Sequence, residues 1–253
     1  MPKTIIESYP KEKRKARQDG SAILRIAECF SNTIQGENFV GIPSTFLRLQ
    51  GCTLNCVWCD TVEVWRYGNP YSTCELLDLW YETGVIENLK NGQHLILTGG
   101  SPLIQQKALL NLLSNLEFYY HFVPYVEIEN EAVIMPDPAF ATWIKCWNNS
   151  PKLNNSGNAH GLQYKPEVLK YLSGLDNSWF KFVISNESDW DEIEEKFLKP
   201  ELIRKDQIVL MPEGCTREEL QKHYQFVVDM CVKYNVRMTD RMHVTIWNKK
   251  VGV

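Results

Sequence analysis

The chain lacks the features that would place it in a membrane or on nucleic acid. Its 253 residues contain no apolar run close to the roughly 20 residues needed to span a bilayer. The N-terminus has no secretory pattern of charged, then apolar, then small residues. The formal net charge of -4 gives no general attraction to nucleic acid or to anionic membranes. We therefore expect a cytoplasmic protein that has neither as a partner.

Internal repeats and low-complexity linkers are also missing, so a single domain is the simplest organisation. With 44% hydrophobic and 23% charged residues, the chain can bury a large core. Residues 1–20 differ, because the run from Lys11 to Arg17 is mostly basic and shows no apolar periodicity. We expect 1–20 to be a basic, solvated or poorly ordered lead-in and 21–253 to form the single domain.

Strand-like and helix-like patterns alternate along that domain. Strands are predicted near 23–30, 44–49, 93–97, 123–128, 144–147, 179–185, 207–211 and 242–247. Helices are predicted near 74–88, 103–119, 138–143, 166–172, 188–198 and 217–234. This βαβ order predicts an α/β fold with parallel strands, whose carboxyl ends gather the ligands.

Cysteine usage indicates a metal site rather than disulfides. Three of the eight cysteines, Cys52, Cys56 and Cys59, have C-x3-C-x2-C spacing on a loop that leaves a strand. A chain of this size does not need disulfide staples, so a reducing compartment fits better. The others are interpreted as core or incidental thiols: Cys29, Cys74, Cys146, Cys215 and Cys231.

Two kinds of metal site are open to three thiolates. A structural zinc site prefers four ligands, and no fourth Cys or His follows Cys59 at zinc-finger spacing, although His94 and Cys74 have suitable side chains. A cubane iron-sulfur cluster held by three cysteines leaves one iron open to a substrate or cofactor. The short loop, followed by glycines at the next strand end, favours the cluster.

Arg48 interrupts an otherwise apolar strand. A buried arginine needs a carboxylate partner, which can belong to the protein or to a ligand. His243 precedes the C-terminal tail and is interpreted as a structural histidine.

Taken together, these motifs resemble the radical S-adenosylmethionine (SAM) superfamily and, within it, the 7-carboxy-7-deazaguanine synthase family of queuosine biosynthesis. The resemblance covers most of the chain and is carried by residues 33–37, 46–52, 59–61, 98–100, 150–152 and the tail after His243. It implies a partial (β/α)6-type radical SAM barrel with an irregular N-terminal lead-in. It also implies a [4Fe-4S] cluster, SAM and Mg2+ as cofactors.

The implied reaction is that of a carbon-nitrogen lyase. It converts 6-carboxy-5,6,7,8-tetrahydropterin to 7-carboxy-7-deazaguanine with loss of ammonia, through a radical formed from SAM, which is regenerated. The resemblance further implies an electron donor such as flavodoxin or ferredoxin, and a homodimer.

Site residues follow from the same resemblance, and no side-chain acid or base is assigned. The cluster would be held by Cys52, Cys56 and Cys59, and Mg2+ by Thr61. The pterin would contact Ile34, Gln35, Gly36, Glu37, Arg48, Thr98 and Val253. SAM would contact Trp58, Asp60, Gly99, Gly100, Ser101, Glu127, Ser150, Pro151, Lys152, Met211, Pro212 and Glu213.

Three departures from the family pattern stand out. Ser101 replaces the glutamate of a Gly-Gly-Glu-Pro element that contacts the methionine part of SAM, and Asn38 replaces a glycine. The family's Glu-Thr-Asn-Gly turn is aligned with residues 127–130, which leaves Glu129 unassigned. A backbone contact would survive the change at Ser101, whereas a carboxylate contact would not.

Two other function classes stay open. A radical SAM activase would form a glycyl radical on a protein partner and would not need Gln35, Arg48 or Thr61. A zinc-binding module would have no enzymatic activity.

Overall fold

A computed structural model describes residues 2–8, 14–248, 250 and 252. Within them, ten strands form one mixed sheet. The strands are β1 (Lys3–Ile6), β2 (Ile23–Ile34), β3 (Pro43–Leu49), β4 (Asn69–Ser72), β5 (His94–Gly99), β6 (Val126–Asn130), β7 (Cys146–Asn149), β8 (Ser178–Ile184), β9 (Ile208–Pro212) and β10 (Arg237–Met238).

The parallel part of the sheet runs in the order β3, β5, β6, β7, β8, β9, β10. β2 pairs antiparallel with β1, β3 and β4 on one side of it. In the described residues β10 does not pair back onto β3, so the barrel is partial. The predicted fold class is confirmed.

Helices connect the strands and cover the sheet. They are α1 (Val62–Trp65), α2 (Thr73–Thr83), α3 (Val85–Lys90), α4 (Gln106–Tyr120), α5 (Pro138–Ala141), α6 (His160–Gln163), α7 (Pro166–Ser173), α8 (Glu187–Ile193), α9 (Arg217–Tyr234) and α10 (Met242–Trp247). In the described part of the chain none is long and apolar enough to cross a membrane.

Helix α4 shows how the core is built. Leu109, Leu112, Leu113 and Leu116 recur at i, i+3, i+4 and i+7 and are fully buried. Burying a leucine side chain contributes about 1.5–3 kcal/mol. This apolar stripe fixes α4 against the sheet and thereby sets the position of the β5–α4 connection at the site.

The predicted helix over 74–88 is two helices. Gly84 has φ of 83°, in the left-handed region that favours glycine, and its N–H donates to the carbonyls of Trp80 and Tyr81. Ser72 and Glu75 form a capping box at the start of α2. The chain therefore turns at Gly84 before α3 begins.

The N-terminal lead-in contains β1, which was not predicted. Four residues are too short for a clear strand pattern, and pairing with β2 stabilises them. Arg17 pairs with Asp78 at 2.7 Å, and the Arg14 guanidinium lies 3.9 Å from the centre of the Tyr71 ring. These described parts of the lead-in lie against the domain.

The extended segment predicted at 242–247 is wrong, because these residues form α10. Its alternating apolar and polar residues resemble a strand, but Val244 packs into the protein and is 2% exposed. The Arg217 side chain on α9 donates from Nε to the Thr245 carbonyl at 2.8 Å and also bonds the Ile246 carbonyl. The last carbonyls of a helix have no hydrogen-bond donor within that helix. Here the Arg217 side chain donates to two of them from α9.

Replacing Arg217 with methionine should therefore loosen α10. One such hydrogen bond contributes roughly 1 kcal/mol, so chymotryptic cleavage after Trp247 should be about fivefold faster. Lys222→Met, an exposed change on the same helix, is the control and should cleave at the wild-type rate. Equal rates for all three proteins would contradict this role of Arg217.

Candidate active site

One cavity of about 490 Å³ lies at the carboxyl ends of the parallel strands. Six consecutive parallel strands contribute lining residues near their ends: Arg48, Thr98, Glu129, Asn148, Val183 and Met211. Its volume is in the range of small-molecule and cofactor sites. The loop with the three cysteines forms part of its wall.

Each cysteine sulfur in this wall accepts a hydrogen bond from an N–H donor. The Leu54 N–H reaches Cys52 Sγ at 3.4 Å, Asn158 Nδ2 reaches Cys56 Sγ at 3.1 Å and Trp65 Nε1 reaches Cys59 Sγ at 3.5 Å. Such donors stabilise metal-bound thiolates. Three thiols that line one cavity and carry these donors fit a three-cysteine iron-sulfur cluster.

The electrostatics of the cysteines couple cluster binding to proton release. Burial raises the pKa of Cys52 to about 11, and burial also raises the pKa of Cys56. Both thiols are then protonated at neutral pH and lose their protons when they bind metal. Among the described residues, no three His, Cys, Asp or Glu side chains lie close enough together to hold one metal ion, and this includes Cys52, Cys56 and Cys59.

Gly99 and Gly100 allow the end of β5 to pack against the cysteine loop. A Cβ on Gly100 would lie 2.4 Å from the Gly51 carbonyl oxygen and 2.5 Å from Cys52 Cβ. The neighbouring Ser101 N–H donates to that same carbonyl at 2.8 Å. The glycine pair therefore fixes the start of the cysteine loop as well as lining the cavity.

Replacing Gly100 with alanine should displace the cysteine loop. Overpacking of this kind costs about 1–3 kcal/mol, and here it acts directly on Cys52. We expect iron content after reconstitution to fall by at least half and thermal stability to drop. Gly161→Ala, at a glycine with open space around it, is the matched control. Wild-type iron content in Gly100→Ala would refute this packing role.

The loop after β2 lies on the other side of the cavity. Gln35 accepts from the Gly36 N–H through its side-chain oxygen at 2.7 Å, and Glu37 pairs with Lys181 of β8. The Gly36 carbonyl accepts from Thr239 Oγ1 at 2.9 Å. These contacts join the β2–β3 loop to the segment before α10, and they close the cavity where the sheet is open.

Arg48 has a protein partner as well as a place in the cavity wall. Its Nε donates to Glu28 Oε1 at 2.7 Å, and both side chains are largely buried. The structural explanation for an inward arginine is therefore correct. A guanidinium carries five N–H donors, so this contact leaves donors for a ligand carboxylate.

Asp60 is held by two residues from the C-terminal segment. Arg241 donates to Asp60 Oδ2 at 2.6 Å, and His243 Nε2 lies 3.5 Å from the same oxygen. Burial, the largest single effect, would raise the pKa of Asp60, but Arg241, His243 and Arg48 together hold it well below its usual range. Asp60 is therefore an anion at neutral pH.

Glu127 is placed away from the cavity wall, although the resemblance assigns it to SAM. Its carboxylate is fully buried and accepts from Asn148 Nδ2 at 2.9 Å, and it pairs with His94 Nδ1 at 2.6 Å. Glu129, two residues later on β6, lines the cavity and accepts from Thr98 Oγ1 at 2.8 Å. Burial raises the pKa of Glu129.

One backbone angle marks a turn after β6. Ala132 has φ of 60°, the left-handed conformation that glycine adopts most easily. The chain therefore turns within two residues of the end of β6, directly after Glu131.

Lys152 is a half-buried residue of the cavity wall. Its Nζ donates to the Ser150 carbonyl at 2.6 Å and to Ser150 Oγ at 2.8 Å, and it lies 5.6 Å from the centre of the Trp58 ring. Burial lowers the pKa of Lys152. A desolvated lysine beside an aromatic ring can pair with a ligand carboxylate.

Most of the predicted site residues meet in this cavity. It is lined by Ile34, Gln35, Gly36, Glu37, Arg48, Cys52, Cys56, Trp58, Cys59, Asp60, Thr61, Thr98, Gly99, Gly100, Ser150, Lys152 and Met211. The structure places outside the lining Ser101, Glu127, Pro151, Pro212 and Glu213. Val253 lies outside the described residues.

Several lining residues were not predicted from the sequence. They are Glu28, Phe30, Phe46, Glu129, Glu131, Asn148, Lys181, Cys215, Arg241 and His243. The charged residue within the apolar Phe-Lys-Phe strand was a signal for Lys181, as it was for Arg48. Arg241 directly precedes α10 and His243 lies within it, in a segment that was predicted as a strand.

Comparisons with known proteins agree with this geometry. A family described as "4Fe-4S single cluster domain" matches residues 35–121. The chain is 31% identical over 245 residues to the 7-carboxy-7-deazaguanine synthase of Hyperthermus butylicus, covering 92% of this chain and 98% of that protein. It is 29% identical over 232 residues to the synthase of Pyrobaculum aerophilum, covering 90% and 97%.

A solved structure shares the fold. QueE from Escherichia coli superposes with a TM-score of 0.64 at 24% identity, over 88% of this chain and 95% of that one. The cysteine loop at the carboxyl edge of a parallel sheet defines an iron-sulfur protein with a single cluster. The chain belongs to the 7-carboxy-7-deazaguanine synthase family of the radical SAM superfamily.

Proposed function

We propose that this protein converts 6-carboxy-5,6,7,8-tetrahydropterin to 7-carboxy-7-deazaguanine with release of ammonia. The observation that carries the proposal is one cavity that is lined by the cysteine loop, the Gln35–Glu37 loop and Arg48. Relatives named for this synthase activity align over about nine-tenths of the chain.

The two sides of the cavity suggest separate places for cofactor and substrate. Cys52, Cys56 and Cys59 would hold the cluster, and Asp60 and Lys152 would bind SAM beside it. When bound, the cluster and SAM supply the radical chemistry, while the protein binds and orients the reactants and excludes water. The Lys152 ammonium suits the SAM carboxylate, and the Asp60 anion suits donor groups of the cofactor.

The pterin would lie against Arg48, Gln35 and Thr98. The contact with Glu28 orients the Arg48 guanidinium, whose other N–H groups would bind the substrate carboxylate. Thr98 is oriented in turn by its hydrogen bond to Glu129. The side chains of Arg48, Gln35 and Thr98 can form hydrogen bonds with the donor and acceptor groups of the pterin ring.

Thr61 is the proposed Mg2+ ligand. It precedes α1, yet its hydroxyl makes no capping hydrogen bond and lines the cavity 3.8 Å from Cys59 Sγ. A hydroxyl is a hard oxygen ligand of the kind that Mg2+ accepts, with substrate oxygens and water completing the coordination. The electron donor of the flavodoxin or ferredoxin type, the homodimer and the cytoplasmic location stay predictions.

The test is anaerobic turnover with reconstituted protein, dithionite, SAM, Mg2+ and the pterin. Mass spectrometry should detect 7-carboxy-7-deazaguanine only when all components are present. SAM cleavage without this product would exclude the synthase and leave a radical SAM enzyme with another substrate, such as an activase. A colourless protein with stoichiometric zinc would exclude the cluster as well.

A further inference from the structure

Glu131 is a buried carboxylate with one oxygen unused by the protein. It is 3% exposed and lines the cavity together with Cys52. Its Oε1 accepts from Thr53 Oγ1 at 2.8 Å and from Ser101 Oγ. Its Oε2 is buried and has no hydrogen-bond partner among the described residues. Leaving a buried anionic oxygen unpaired costs free energy, which indicates that a ligand completes the site.

The neighbouring cation does not fill this role. Lys152 lines the same cavity, but its Nζ bonds the carbonyl and hydroxyl of Ser150 and makes no hydrogen bond to Glu131 Oε2. The two hydroxyls on Oε1, from Thr53 and Ser101, fix the carboxylate without neutralising it. Glu131 Oε2 is therefore open to a donor bound in the cavity beside the cysteine loop, and a cationic donor would make the strongest hydrogen bond to it.

Ser101 connects this carboxylate to a departure in the sequence. Ser101 stands where the Gly-Gly-Glu-Pro element has glutamate, and its hydroxyl donates to Glu131. Glu131 directly follows β6 and precedes Ala132, where the chain turns. The carboxylate that is missing at position 101, after β5, is thus supplied by Glu131, after β6, which accepts a hydrogen bond from Ser101.

We propose that Glu131 takes over the role of the missing glutamate and binds the α-ammonium group of SAM through Oε2. This inference depends on the proposed function, because it requires SAM to bind beside the cysteines. It adds that the binding carboxylate lies after β6 and not after β5. Ser101 positions Glu131, and Glu131 binds SAM.

Equilibrium binding of SAM to the anaerobic, cluster-loaded protein tests the proposal. Glu131→Gln keeps the shape and removes the charge, so the Kd for SAM should rise at least about tenfold, which corresponds to roughly 1.4 kcal/mol. The Kd for an analogue with hydrogen in place of the α-amino group should change less than about threefold. Iron content should equal that of wild type.

Two further variants complete the design. Ser101→Glu combined with Glu131→Asn moves the carboxylate to position 101, as in the Gly-Gly-Glu-Pro element, and should return the SAM Kd to within about fivefold of wild type. Glu63→Gln, an exposed change on α1, is the control and should bind like wild type. A Glu131→Gln protein that carries the cluster and binds SAM within threefold of wild type would overturn the proposal.

A structure of the wild-type protein with cluster and SAM decides the matter if Glu131→Gln loses its cluster. Glu131 Oε2 should lie within about 3.2 Å of the SAM amino nitrogen, and a separation beyond about 4 Å would overturn the proposal. If wild-type protein with an intact cluster does not bind SAM at all, the proposed function fails. If wild type binds SAM but Glu131 makes no such contact, only this inference fails.

Discussion

Replacing Cys56 with alanine is expected to abolish both the cluster absorption and all formation of the deazaguanine. Cys56 belongs to the C-x3-C-x2-C loop, whose three cysteines all line the cavity, and the proposed cluster needs all three as ligands. Enzymatic accelerations are about 10⁶-fold or more, and here the lost cofactor carries the chemistry. Turnover should therefore fall below detection.

The control for this experiment is Cys74→Ala. Cys74 lies on α2, outside the cavity lining, and its sulfur accepts a hydrogen bond from Asn115. This variant should keep wild-type iron content and turnover. Measurable product from Cys56→Ala, or loss of the cluster in Cys74→Ala alone, would contradict the assignment of the cluster ligands.

Replacing Arg48 with alanine should lower kcat/KM and stability together. Removing one partner of a buried charge pair costs about 3–5 kcal/mol, because Glu28 would remain buried without its counter-charge. Loss of the contact to the substrate carboxylate should lower kcat/KM by at least about 30-fold, since such contacts contribute about 2–5 kcal/mol. The cluster should remain intact.

A double variant separates these two roles of Arg48. Adding Glu28→Gln to Arg48→Ala removes the unpaired charge, so thermal stability should recover while kcat/KM stays low. Glu28→Gln alone should retain more activity than either protein that lacks Arg48. Recovery of both stability and kcat/KM in the double variant would show that Arg48 has only a structural role.

The long elements were predictable because their patterns are local. Helix α9 was predicted with its observed bounds, since a capping threonine and a regular apolar stripe define it. Helix α10 was not, because Arg217 and the packing of Val244 stabilise it from outside its own sequence. The short elements β1, β4, β10, α1 and α6 were missed, since a few residues carry no clear period.

The site residues, too, divide into those that the sequence predicts and those that only the structure shows. The cysteine spacing and the loops at the strand ends were visible in the sequence and do meet in the cavity. Glu127 and Glu129 lie two residues apart on β6, and only the structure shows that Glu129 lines the cavity while Glu127 is fully buried outside its lining. The burial of Glu131 and Arg241 depends on neighbours that are distant in the sequence, so it could not be predicted.

The stoichiometry of the reaction tests the central claim most directly. Reconstituted protein would be given excess pterin and limiting SAM, and ammonia, deazaguanine and SAM would be measured over time. We predict that ammonia and 7-carboxy-7-deazaguanine form in equal amounts and that both exceed the SAM supplied. Consumption of SAM without the deazaguanine, or ammonia release unrelated to its formation, would contradict the account.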